Sequence, residues 1–211
     1  LEAGFDIVEV HGAHGYLLHT FLSPLTNERD DEYGGDLEGR MRYPLEIARI
    51  VRDAWPADKP VFFRCSAVDN DPAGWSLQDS VALARRLAEL GIDVVDCSSG
   101  GIAGPATASA TAPRGLGFQV PFSETIHREA GVATMAVGLI IEPAQAEAVL
   151  AEGKADLVAI AREALFDPNW PHHAAIALGA DPRFEAWPKQ YGWWLTRRES
   201  TLRDLGVRAE P

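Results

Sequence analysis

The chain has 211 residues and a net charge of −12, from 19 basic and 31 acidic side chains. This length is enough to bury a hydrophobic core in a single domain. The acidic balance argues against a nucleic acid or an anionic membrane as partner, because both are bound by clustered Lys and Arg. No apolar run in the sequence is long enough to span a bilayer.

Five short apolar runs alternate with amphipathic segments along the chain. The predicted strands are Ile7–Val10, Val61–Ser66, Val94–Ser98, Thr134–Val137 and Leu157–Ile160. The predicted helices are Leu37–Ala54, Leu77–Leu90, Ser123–Glu129, Pro143–Glu152 and a region near Ala174–Leu178. Asp36 and Ser76 are predicted N-caps. This alternation predicts an α/β fold with a parallel sheet, but it does not distinguish a doubly wound sheet from a barrel.

The two cysteines, Cys65 and Cys97, lie in predicted strands. They form neither a C-x-x-C motif nor a metal-binding spacing, so we expect reduced thiols in a cytoplasmic protein.

A polar run, His11-Gly12-Ala13-His14-Gly15-Tyr16, follows the first predicted strand directly. The carboxyl end of a strand is where α/β barrels place their chemistry. Two neutral imidazoles can donate hydrogen bonds to one oxygen, and a nearby phenol can deliver a proton. The same pair of histidines can also bind a metal, and an isolated H-x-x-H is common in ordinary polar loops.

Arg64 lies inside the apolar run Val61–Ser66. Burying a lone Arg is costly without an anionic partner. We therefore expect either an ion pair inside the fold or a guanidinium that faces a bound anion.

Two further strand ends carry groups that suit a phosphate. Gly138 follows the fourth predicted strand, and Ala161-Arg162 follow the fifth. Backbone N–H groups and a guanidinium fork are typical phosphate donors at these places in a barrel. An isolated glycine such as Gly138 is equally typical of a plain turn.

These motifs together resemble one known family. The run from His11 to Tyr16 continues into Phe21-Leu22-Ser23-Pro24-Leu25-Thr26-Asn27 and Asp31-Glu32-Tyr33-Gly34-Gly35. This arrangement resembles the old yellow enzymes, the FMN-dependent ene-reductases, in the branch with two histidines at the substrate site. The resemblance implies a (β/α)8 TIM barrel of which this chain holds about strands four to eight. It places the barrel part in residues 1–180 and a C-terminal tail in residues 181–211.

The resemblance also implies a reaction. An NAD(P)H-dependent oxidoreductase of this type passes a hydride through FMN to the β-carbon of an α,β-unsaturated carbonyl compound. By resemblance, His11 and His14 bind the carbonyl oxygen, Tyr16 protonates the α-carbon, and Arg64 lies against the flavin. The expected partner is a small enone-type substrate, with no metal, no nucleic acid and no membrane, and the full-length form is expected to be a homo-oligomer.

By the same resemblance, Gly138, Ala161 and Arg162 bind the FMN phosphate. The family usually has Gly-Arg where this chain has Ala161-Arg162. We expect weaker rather than lost phosphate binding, because the backbone N–H is kept while a Cβ is added.

Two alternatives stay open. The chain opens on Leu1-Glu2-Ala3-Gly4, which is typical of the end of a helix, so we expect a fragment of a longer protein. Such a fragment would be catalytically incompetent without its N-terminal strands or a partner. The second alternative is a metal-dependent barrel hydrolase that uses His11 and His14, although no further ligand is evident at the other strand ends.

Overall fold

The structure is a computed structural model, and it describes residues 1–102 and 115–207. The strands are β1 (Val8–Gly12), β2 (Val61–Ser66), β3 (Val94–Ser98), β4 (Ala133–Val137) and β5 (Leu157–Ala159). The helices are α1 (Leu17–Leu22), α2 (Leu37–Ala54), α3 (Leu77–Glu89), α4 (Val120–Ala130), α5 (Pro143–Ala151), α6 (Arg162–Phe166), α7 (Trp170–Ala177) and α8 (Lys189–Asp204).

The five strands form one parallel sheet in the order β1-β2-β3-β4-β5, which confirms the predicted α/β class. The register sets His11 beside Arg64, and Arg64 beside Asp96. Because side chains alternate between the two faces of a strand, these three residues share one face. We call this polar face the inner face of the sheet.

The opposite, outer face of the sheet is covered by helices and carries the main core. Phe63, Cys65, Val95 and Cys97 are buried there and pack with apolar side chains of α2 and α3. Both cysteines are free and buried, and they are register partners on β2 and β3. The strands are apolar because this face is buried under helices, as is usual for parallel sheets.

The local signals for helix starts are confirmed. The Asp36 carboxylate accepts a hydrogen bond from the Gly39 N–H at 2.9 Å and caps α2. Ser76 and Asp79 form a reciprocal capping box at the start of α3. The bounds of α2, β2 and β3 agree with those predicted, and the ends of the other predicted elements differ by a few residues. Strand β1 extends to Gly12, so that His11 belongs to the strand itself.

The chain divides into two compact units. The first contains 1–140 and 148–160, and the second contains 141–147 and the described part of 161–211. Within the second unit, the Trp187 ring stacks on His172 with centroids 4.7 Å apart. The predicted tail, 181–211, contains the helix α8, which sequence reasoning missed. The boundary after residue 180 stays a prediction.

Candidate active site

The structure brings His11, His14 and Tyr16 together at the carboxyl end of β1. The His11 and His14 ring centroids lie 5.2 Å apart, and those of His11 and Tyr16 lie 5.3 Å apart. Tyr16 is 63% exposed. The three rings thus form one accessible cluster, as their spacing in the sequence predicts.

The backbone at His14 is held in an uncommon conformation. Its φ is +60°, a left-handed value that residues other than glycine rarely adopt. The His14 N–H donates to Ser66 Oγ at 3.0 Å, and the Ser66 hydroxyl donates to the Gly100 carbonyl at 2.7 Å. The His14 Nε2 lies 2.6 Å from Ser98 Oγ. Residues at the ends of β2 and β3 therefore fix both the backbone and the ring of His14.

Both histidines of the cluster are neutral at neutral pH. Burial, together with the charges of Arg64, His11 and His19, lowers the pKa of His14 to about 4. Burial and the charge of Arg64 also lower the pKa of His11. A neutral imidazole carries one N–H donor, so the pair can donate hydrogen bonds without placing a full charge beside the ligand.

Charged groups on three neighbouring strands meet on the inner face. Arg64 Nε lies 3.2 Å from Asp96 Oδ2, and Asp96 is 1% exposed, whereas the Arg64 side chain is 28% exposed. Burial, opposed by the charge of Arg64 and reinforced by that of Glu9, raises the pKa of Asp96 to about 7. Burial also raises the pKa of Glu9 on β1. The predicted internal ion pair of Arg64 is therefore present, and the Arg64 side chain stays partly exposed.

Gly138 turns the chain after β4 in a conformation that needs glycine. Its φ is +114°, and a Cβ there would lie 2.8 Å from Gln119 Nε2 and 3.0 Å from the Phe118 ring. The Gln119 amide in turn donates to the Val137 carbonyl at 3.3 Å and accepts from the Ser99 hydroxyl at 2.6 Å. The backbone after β4 is thus closely packed, and a side chain at Gly138 would disturb it.

Ala161 and Arg162 belong to the second compact unit, where α6 begins at Arg162. Both residues are exposed. The φ of Ala161 is −128°, so this position does not have the left-handed backbone that favours glycine. Weaker phosphate binding stays a prediction.

Two polar residues near this cluster, Asp96 and His19, were not predicted as site residues from the sequence. Asp96 has a signal in hindsight, since it is a carboxylate in an apolar strand next to the strand that carries Arg64. His19 lies on α1 among apolar residues and is fully buried, so its sequence context predicts a core position only. Its carboxylate partner, Asp69, lies fifty positions further along the chain, and no local pattern indicates that contact.

In residues 1–102 and 115–207, no group of three or more His, Cys, Asp or Glu side chains converges as metal ligands would. Within the same ranges, none of the helices combines the length and apolar character needed to cross a membrane.

Comparisons with known proteins show the family of this chain. The sequence profile of the NADH:flavin oxidoreductase / NADH oxidase family matches residues 1–179. The chain belongs to this family. An NADPH dehydrogenase of Geobacillus sp. (strain WCH70) is 53% identical over 178 residues, which are 84% of this chain and 50% of that protein.

Solved structures of the flavin oxidoreductase family show the same fold. A 2-naphthoyl-CoA reductase in complex with 2-naphthoyl-CoA matches 84% of this chain and 27% of its own, with a TM-score of 0.75 and 27% identity. The old yellow enzyme homologue from Zymomonas mobilis matches 82% of this chain and 46% of its own, with a TM-score of 0.66 and 25% identity.

These matches confirm the predicted family and fold class. The five β/α units of this flavin oxidoreductase chain form part of a TIM barrel. The chain spans about half the length of the curated relatives it matches.

Proposed function

We propose that this chain carries the substrate-binding and proton-donating part of an FMN-dependent NADPH oxidoreductase that reduces the C=C bond of α,β-unsaturated carbonyl compounds. The observation that carries the proposal is the cluster of His11, His14 and Tyr16, with ring centroids 5.2 and 5.3 Å apart. Relatives that are named NADPH dehydrogenases support the choice of reductant.

The two neutral histidines would bind the carbonyl oxygen of the substrate. Because the pKa of His14 is held at about 4, its ring is a neutral donor throughout the physiological range. Hydrogen bonds to this oxygen strengthen as negative charge develops on it in the transition state, so they favour the reaction. The exposed Tyr16 hydroxyl would then deliver a proton to the α-carbon.

The residues present fit the FMN that the family implies. The Arg64 side chain is partly exposed and lies on the polar inner face, where it would hold the pyrimidine end of the ring. In the first compact unit, Gly138 leaves the backbone after β4 without a side chain, and in the second unit Arg162 is exposed; each by itself suits a phosphate oxygen. When bound, FMN would supply the hydride-transfer chemistry.

The first test is whether the chain holds flavin. FMN is added to the purified protein, free flavin is removed by desalting, and the visible absorbance spectrum is recorded. Retained flavin bands support the proposal and justify enone-reduction assays with NADPH. A colourless protein favours the alternative, in which the site residues work only together with the other half of a longer protein.

The second test probes the oxygen-binding role directly. Phenol is titrated into the flavin-loaded protein and its affinity is read from the change in the flavin spectrum. His14→Ala should weaken binding about tenfold, the equivalent of one hydrogen bond. His127→Ala is the matched control, since His127 lies on α4 and pairs with Asp156 at 3.1 Å. An unchanged phenol affinity in His14→Ala would contradict the proposal.

A further inference from the structure

His19 is a buried histidine that the proposed reaction does not use. It lies on α1, and neither its side chain nor that of Asp69 is exposed at all. The His19 Nε2 lies 2.9 Å from Asp69 Oδ1, and the His19 Nδ1 accepts a hydrogen bond from the Gly15 N–H at 2.9 Å. Both ring nitrogens are thus occupied by defined partners.

Asp69 is in turn fixed from a separate part of the chain. Its Oδ2 accepts hydrogen bonds from the Ser23 hydroxyl and from the Trp75 N–H, the latter at 2.8 Å. Although burial raises the pKa of Asp69, the hydrogen bonds from His19, Ser23 and Trp75 bring it below its ordinary value. The carboxylate is therefore ionised, and it lies 2.9 Å from the His19 Nε2, where it favours one orientation of the imidazole.

This network defines the tautomer of His19. Nδ1 accepts a hydrogen bond from the Gly15 N–H and is therefore unprotonated. In the neutral ring the proton then lies on Nε2, which faces the Asp69 carboxylate at 2.9 Å. The ring thus lies between the Asp69 carboxylate, in a close contact, and the Gly15 amide, in a hydrogen bond.

Gly15 is the residue between His14 and Tyr16. Consecutive residues, His14 at φ +60° and Gly15 at φ +78°, adopt left-handed backbone conformations. Such backbone persists only where the surroundings hold it in place. The Gly15 amide is the point at which His19 holds this turn.

We propose that His19 and Asp69 are positioning residues that fix the Gly15 turn and so set the His14 and Tyr16 rings for the same bound substrate. Neither residue touches the substrate. The expected effect on ligand binding rests on the proposed function. The effect of His19 on the Gly15 turn does not, because it depends only on contacts within this chain.

Two substitutions separate the Gly15 hydrogen bond of His19 from its contact with Asp69. An Asn side chain places its carbonyl oxygen near the position of Nδ1, so His19→Asn keeps an acceptor for the Gly15 N–H and loses the donor to Asp69. A Gln side chain places its amide nitrogen near the position of Nε2, so His19→Gln keeps the donor to Asp69 and loses the acceptor for Gly15. The two variants are matched controls for each other.

The first readout needs no flavin. Hydrogen exchange of the Gly15 amide is measured by NMR in the 211-residue chain and in both variants. We expect exchange about tenfold faster in His19→Gln, the equivalent of one lost hydrogen bond, and little change in His19→Asn. Equal exchange rates in the two variants would overturn the proposal.

The second readout is phenol affinity of the flavin-loaded protein. His19→Gln should weaken phenol binding about tenfold while His19→Asn keeps it, in parallel with the exchange data. Equal affinity in both variants would overturn the positioning role. If the unsubstituted protein binds flavin but no phenol, the proposed function fails, whereas the Gly15 exchange pattern still decides the positioning.

A third readout covers the case in which a variant does not fold. The ¹⁵N shifts of His19 in the unsubstituted chain should show a protonated Nε2 and an unprotonated Nδ1. A protonated Nδ1 cannot accept from the Gly15 N–H and would overturn the proposal without any substitution.

Discussion

A Cβ atom on Gly15 would lie 2.4 Å from the carbonyl oxygen of Gly101. The reverse is also true, since a Cβ on Gly101 would lie 2.3 Å from the Cα of His14. The turn after β1 and the loop after β3 are therefore in backbone contact, with no room for a side chain between them. This contact brings the His14 ring within 2.6 Å of Ser98 Oγ.

We expect Gly15→Ala to be far more costly than Gly35→Ala. Both glycines have left-handed backbone, with φ of +78° and +73°, but a Cβ on Gly35 would meet nothing within 4 Å. Gly35→Ala should cost about 1 kcal/mol, the strain of a left-handed residue. Gly15→Ala should cost about 2–5 kcal/mol, because overpacking adds to that strain. Urea denaturation of the two variants measures the difference, and equal losses would show that the loops move apart freely.

The strands and the aromatic cluster were predictable because their causes are local. The run Val61–Ser66 is apolar since a parallel strand is covered by helices, and its ends agree with the structure. The positions of His11, His14 and Tyr16 follow from the end of β1 alone. Any fold that ends a strand there brings these side chains to the same edge of the sheet.

The contacts that fix the cluster were not predictable from local patterns. The His14 ring meets Ser98, 84 positions away, and the His19 ring meets Asp69, fifty positions away. Such pairs depend on the register between strands and on loop paths. A polar residue in an apolar segment, such as Asp96 or His19, signals a partner without indicating which one.

Asp96 should make the protein less stable as the pH rises. Burial raises its pKa from 3.8 to about 7, so the folded protein keeps a proton that the unfolded chain releases above about pH 4. The free energy of unfolding should therefore fall between about pH 4 and 7 through this group. In Asp96→Asn that part of the pH dependence should vanish. Denaturation curves at pH 5 and pH 8 measure this change in the free energy of unfolding. The same change in Asp96→Asn would mean that another group causes it.

Removing Arg64 should expose the cost of the buried carboxylate. Arg64→Met leaves Asp96 without its cation, and breaking a buried pair in this way should cost about 3 kcal/mol at pH 8. At pH 5 the loss should be smaller, because Asp96 is then protonated. Adding Asp96→Asn to Arg64→Met should recover much of the loss at pH 8. A double-mutant cycle measures the coupling, and additive losses would mean that the 3.2 Å pair contributes nothing.

The titration of His14 should be displaced far to the acid side. Burial, the charge of Arg64 and the neighbouring His11 and His19 lower its pKa from 6.5 to about 4. The unfolded chain therefore binds this proton at a higher pH than the folded protein does. As the pH falls from about 6.5 towards 4, protonation favours the unfolded chain, so the free energy of unfolding should decrease. NMR of the ring Cε1–H should give a midpoint near pH 4. The same resonance in Arg64→Met should titrate at higher pH, since one of the two largest causes of the shift is then removed. A midpoint near 6.5 in the unsubstituted protein would mean that the His14 ring is solvated, and that it binds its ligand as a partly charged rather than a neutral donor.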